Sequence, residues 1–158
     1  MLIGGEKIQC PPRDVIVYPR ASGNVIFHIK GVDSFEAFDG AHPRPEPPQI
    51  LRKGQQQPNY EDEGYARQIE AWANLRQDWL IIQALDLPDN DITWEKVDMD
   101  KASTWHHVEE ELRGIGLTLI EFNRLVAKVY EVNALSERSM EAARANFLQM
   151  TSLGLPGE

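Results

Sequence analysis

The stretch from Thr104 to Leu112, TWHHVEEEL, sets two imidazoles beside three carboxylates, the groups from which zinc and iron sites are built. If Trp105, Val108 and Leu112 face a core, the helical period turns His106 and His107 about 100° and 200° away from Trp105. Adjacent helical residues do not face one another, so one ion cannot readily take both rings. Helical zinc sites space their histidines by four, as in H-E-x-x-H, and that pattern is absent. His106 and Glu110 have the spacing for two ligands, and any third would have to come from a distance, as from His28 or His42. Glu109, Glu110 and Glu111 fall in the first turns of the predicted helix, where its dipole favours negative charge. The spacing therefore predicts a helix face, with no metal and no cofactor.

Other catalytic templates are missing. The sequence contains neither G-x-G-x-x-G nor G-x-x-x-x-G-K-[ST] to cradle phosphates, and no G-x-S-x-G elbow. Cys10 is the single cysteine, so an internal disulfide is excluded, and no activating base is legible beside it. Carboxylate pairs are too common on so acidic a chain to single out acid–base groups. These absences favour a protein that works by contact over an enzyme. A small metal-dependent hydrolase using His106 and Glu110 is the alternative from another class.

The elements that would position these groups fall into three regions. Val15–Tyr18 and Val25–Lys30 are rich in β-branched and aromatic residues, with turn chemistry at Gly23 and Asn24 between them. Period two puts Val25, Phe27 and Ile29 on one face and Ile26, His28 and Lys30 on the other, the pattern of a half-buried hairpin. Two strands alone are marginal in water. A third strand near Ile3 or Ile8, ended by Pro11 and Pro12, or docking onto a helix or another subunit, is therefore expected. His28 reads as a surface histidine.

Between Asp39 and Tyr60 lie five of the 10 prolines: Pro43, Pro45, Pro47, Pro48 and Pro58. This stretch should run extended or polyproline-like. It is either a spacer or an arm that lies along a neighbour, anchored by Ile50 and Leu51.

Further on, Tyr65, Ile69, Trp72, Leu75, Trp79 and Ile82 follow helical steps of three and four, and WLIIQAL makes the end of that helix apolar nearly all round. Pro88 stops it, and Trp94 reads as a core plug in a short extended piece. The next helix takes Ser103 or Thr104 as its N-cap and Trp105, Val108, Leu112 and Ile115 as its stripe. Gly114 and Gly116 close it. Thr118–Glu121 fits a capping box opening a helix with Phe122, Leu125, Val126 and Val129 inward. A last helix is expected from Ser136, with Met140, Ala143 and Phe147. The fold class expected is α+β, in the order β-hairpin module 1–38, Pro-rich extended arm 39–60, α-helical domain 61–150 and flexible tail 151–158.

The 158 residues are 42% hydrophobic and 26% charged, with a net charge of -9. Residues 1–60 hold 7 basic against 6 acidic side chains, and residues 61–158 hold 9 against 19. An acidic half repels phosphate backbones, so nucleic acid is not expected as a partner. No apolar run approaches a membrane span, so no membrane partner is expected either. The N-terminus lacks the layout of a signal peptide, and the lone cysteine fits a reducing cytosol.

Several segments, taken in order, resemble the tail assembly chaperones of long-tailed, siphophage-like bacteriophages. VIVYPRASGNVIFHIKGVDSFEAFD resembles that family's hairpin and acidic-aromatic stretch, HPRPEPP its Pro-Glu-Pro segment, and WLIIQALDLPDNDITW through EAARANFL its helical body. Within that body, an Ile-x-Trp, a Thr-Trp helix start, Glu-Leu-x-x-x-Gly and a late Asn-x-Leu carry the likeness. The resemblance implies a non-enzymatic protein that binds and solubilises the helical tape measure protein in the host cell cytoplasm. Such a protein departs as tail tube subunits polymerise and is absent from the mature virion. A longer frameshifted form is a further family trait, and the tail TSLGLPGE would suit the short form. The tail tube protein is a second candidate partner, and self-association is expected through the arm or a β edge. Pro45, Pro47, Pro48, Ile50, Leu51, Trp105, Leu119 and Tyr130 are the candidate contact residues, the last three serving either contact or core. The alternative within this class is a structural phage protein, a head–tail connector or minor tail protein.

Overall fold

The computed structural model describes residues 13–134 together with 141, 144 and 145. The fold is α+β, with two antiparallel hairpins and four α-helices among the described residues. The expected early third strand, Cys10, the helix from Ser136 with Met140, Ala143 and Phe147, and the tail 151–158 lie outside the described residues.

The chain divides into two compact units, each assembled from segments that are not continuous in sequence. One unit takes the chain up to Asp33, Ala84–Ile92 and the residues from Leu117 onward. The other takes Ser34–Gln83 and Thr93–Gly116. The cause is the demand of each apolar face for cover, which sequence neighbours alone do not meet.

In the first unit, β1 (Arg13–Tyr18) pairs with β2 (Val25–Lys30), with Val17 opposite Ile26 and Ile16 opposite Phe27. Gly23 takes the positive φ of 125° that the connection requires. Tyr18, Phe27 and Ile29 are buried, and Tyr18 meets Phe27 edge-on at 6.3 Å. Their cover comes from the helix Leu119–Val132, through the buried Phe122, Leu125 and Val129. That helix opens with the expected capping box, in which Thr118 Oγ1 accepts from Glu121 N and Glu121 Oε2 from Thr118 N. Glu121 also holds Arg20 through two bonds of 2.8 and 2.7 Å, while Tyr18 Oη donates to the Glu121 carbonyl at 2.7 Å. The Arg20 guanidinium, then the Thr118 N–H, pull the Glu121 carboxyl down to about 2. Burial pushes the Tyr18 phenol up to about 12, with the Glu121 charge assisting.

Two asparagines finish this unit. Asn90, in the 3₁₀ turn Pro88–Asn90, accepts from His28 N at 2.7 Å and donates to the carbonyls of His28 and Leu85 at 2.8 Å. Asn133 accepts from Val32 N at 2.6 Å. Side-chain amides thus satisfy the outward backbone groups of His28 in β2 and the N–H of Val32 just past its end.

The second unit is built on aromatic rings. A short helix, α1 (Glu36–Ala41), carries Phe38, whose ring lies within 5.1–6.3 Å of the rings of His42, Trp72, Trp79 and Trp105. The helix α2 (Glu63–Leu85) is capped by Asp62, which accepts from Tyr65 N at 2.8 Å. Its expected stripe is only half-buried from Tyr65 to Leu75, whereas Trp79, Leu80, Ile81 and Ile82 are buried, as are Ala84 and Leu85 at the helix end that belongs to the first unit.

Four local expectations change. The arm is not extended throughout: β3 (Gln49–Arg52) and β4 (Gln55–Pro58) form a second hairpin. Lys53 and Gly54, at φ 50° and 76°, make a two-residue turn of the kind that matches strand twist. The segment Ala102–His107 is a 3₁₀ helix, and α3 begins only at Val108 and ends at Gly114. Thr104 is therefore not an α-helical N-cap; its hydroxyl ties to Asp98 and Lys101. Trp94 is half-buried, and Val97 is the buried residue of that loop. Ile115 is exposed because the helix stops before it can turn inward. The helix Leu119–Val132 is α4.

Candidate interaction surface

Ala102–His107 is 3₁₀ rather than α, and at its end the His106 and His107 rings lie 3.9 Å apart at a tilt of 39°. His107, and not His106, reaches Glu110, with Nδ1 3.1 Å from Oε2. The other Glu110 oxygen meets the Lys96 ammonium, which with His107 holds this carboxyl below its usual range. Glu109 pairs with Arg113 at 3.5 Å, one helical turn on.

Glu111 turns back to the preceding loop and accepts from three successive backbone N–H groups, those of Glu95, Lys96 and Val97. Burial alone would raise its pKa, but the three donors together outweigh burial and lower it. All three carboxylates of the motif thus fasten the second unit to itself. Among the described residues no group of three or more His, Cys, Asp or Glu side chains is arranged to hold a metal ion.

The aromatic core uses the remaining polar atoms nearby. Trp105 is buried, and its Nε1–H faces the carbonyls of Asp98 and Met99 at 3.1 and 3.3 Å. Trp72 donates to the His42 carbonyl at 2.8 Å. The Arg76 guanidinium lies 3.5 Å from the centre of Phe35 and is steadied by Asp39 at 3.3 Å. Asp78 is half-buried on α2, and burial, then the charge of Glu109, push its carboxyl up to about 6.

The candidate contact residues therefore separate. Trp105 is spent inside the second unit. Pro45, Pro47 and Ile50 are half-buried and Pro48 is exposed, while Leu51, near the tip of the β3–β4 ribbon, is 66% exposed. All four residues of β4 are exposed, and Asn59 N extends the ladder to the Pro48 carbonyl at 2.7 Å. In the first unit Leu119 is exposed at the start of α4 with Ile120 beside it, and Tyr130 is half-buried.

The structure adds a surface that the sequence reading passed over. On the outer face of the β1–β2 hairpin, Val15, Val17 and Ile26 are 42%, 48% and 48% exposed. Val17 lies directly opposite Ile26, Val15 opposite His28, and Arg13 opposite Lys30. His28 gives both backbone groups to Asn90, so these are non-hydrogen-bonded pairs, whose side chains approach most closely. The available signal was Ile26 on the predicted solvent face, with two valines at alternate positions across from it. In comparisons with known proteins, no family model, no curated protein and no solved structure matches this chain.

Proposed function

We propose that this chain is a non-enzymatic tail assembly chaperone that binds the tape measure protein of a long-tailed phage and keeps it in solution during assembly. The observation that carries the reading is apolar side chains held at the surface of a chain with net charge -9: Val15, Val17 and Ile26 on the hairpin, and Leu119 and Ile120 on α4. Such a surface suits transient binding of amphipathic helices, while the charge opposes aggregation. The engagement of Glu109, Glu110, Glu111 and His107 with neighbours gives the segment richest in chemical groups a structural role. The resemblance of the sequence to this family supplies the identity of the client, the host cell cytoplasm as the place of action, and departure before the virion is complete.

The test is co-expression with the tape measure protein of the same phage. The long protein should move from the pellet to the soluble fraction when this chain is present. A pellet unchanged by the chain would overturn the reading, and stoichiometric retention of the chain in purified virions would favour a structural tail protein instead.

A further inference from the structure

The outer face of the β1–β2 hairpin has a polarity along its length. At one end stand Val17 and Ile26, in the middle Val15 with His28, and at the other end Arg13 beside Lys30. Like charges directly opposite on a sheet repel, and neither cation makes an ion pair among the described residues. An incoming carboxylate placed between them removes that repulsion and gains two partners at once.

The edges of the hairpin indicate how a partner approaches. Along β2, Asn90 already occupies both backbone groups of His28, and beyond the end of the strand Asn133 takes the N–H of Val32. Along β1, the Val15 N–H is satisfied by the Asp14 carboxylate at 2.7 Å. Strand addition would have to displace these bonds, whereas a helix laid over the face displaces none. From Val17 to Arg13 the face runs about 13 Å, four strand steps. That is roughly nine residues of helix.

We propose that this face is the docking site for an amphipathic helix bearing aliphatic residues at i and i+4 and an acidic residue at i+7 or i+8. The aliphatic pair seats on Val15, Val17 and Ile26, and the acid between Arg13 and Lys30. The proposal rests on the chaperone reading for the identity of the client and adds its chemistry and direction. An anionic membrane fits less well, because the face carries no aromatic anchor and the chain's net charge of -9 is repelled from anionic lipid. The patch is small, so a single contact is weak, and a long client gains its hold from many copies.

The experiment titrates the full chain with two labelled, stapled helical peptides, alike except for Glu or Lys at the i+7 and i+8 positions, read by fluorescence anisotropy. The Glu peptide should bind at least about tenfold more tightly than the Lys peptide. The double variant Arg13→Glu/Lys30→Glu should reverse the preference. Val17→Thr/Ile26→Thr, which keeps β-branching and hence the hairpin, should lose both peptides with an unchanged circular dichroism spectrum. Equal binding of the Glu peptide by the charge-reversed variant overturns the proposal. So does binding to anionic vesicles that the same variants abolish without peptide binding, or a dimer that Val17→Thr/Ile26→Thr dissociates in place of peptide binding. Co-expression of that threonine variant with the tape measure protein separates the two readings. A client kept soluble by the variant as by the unmodified chain places the docking site elsewhere and leaves the chaperone reading intact. Peptide discrimination together with a client that stays insoluble beside the unmodified chain upholds the docking site and overturns the chaperone reading.

Discussion

Asp78 is the residue whose environment opposes its charge most openly. Burial and the neighbouring Glu109 raise its carboxyl from 3.8 to about 6. The folded chain therefore binds this proton more tightly than the unfolded chain does. The resulting stability is fully present below pH 3.8 and is lost as pH rises to about 6, so at neutral pH the carboxylate is a liability. Asp78→Asn should stabilise the protein by about 1–2 kcal/mol at pH 7.5, a figure reduced for solvent screening, and by almost nothing at pH 3.5. Chemical denaturation of both proteins at the two pH values checks this, and a gain of equal size at both would assign the effect to something other than titration. Nothing in the helical spacing around Asp78 marks it, because Glu109 comes from a different element. The opening motif has the same character: its residue types were plain, yet which imidazole meets Glu110 depended on a 3₁₀ turn in place of an α-turn.

Among the elements, the β3–β4 ribbon is the least supported by its own unit. Its strands have four residues each, Leu51 is 66% exposed, and a two-stranded ribbon alone is marginal in water. Unpaired strand edges invite pairing with another chain. The apparent mass in light scattering should therefore rise with concentration, and replacing residues 49–58 by a Gly-Ser linker should hold it at the monomer value. A monomer at every concentration for the unmodified chain would remove the arm as an association element. In the sequence the ribbon reads as an extended arm because the stretch can bury little and its prolines leave few backbone donors. The deciding feature is the positive φ at Lys53 and Gly54, which composition does not reveal. Thr118-Leu119-Ile120-Glu121 shows the opposite case, since the capping box forms entirely within four consecutive residues and was legible in full.

Over the whole molecule, the sequence pI of 4.9 predicts a solubility minimum near pH 5, because self-repulsion vanishes there while the exposed aliphatic groups remain. Turbidity measured from pH 4 to 8 at low salt should peak near that value, and a flat profile would show that the apolar surface does not drive association. The α+β class, the first hairpin with its buried face of Phe27 and Ile29, the buried end of α2 and the start of α4 followed from the sequence alone. They rest on periods of two, three and four residues and on local caps, which neighbours along the chain already determine. Tertiary structure alone decided that Asn90 would close the edge of β2 from 62 residues away, and that Phe38 would gather Trp72, Trp79 and Trp105 around it. It also decided that Val15, Val17 and Ile26 would stay uncovered beside Arg13 and Lys30. Such pairings are chosen by the competition of apolar faces for cover once the chain is compact, and no short window of sequence contains both partners.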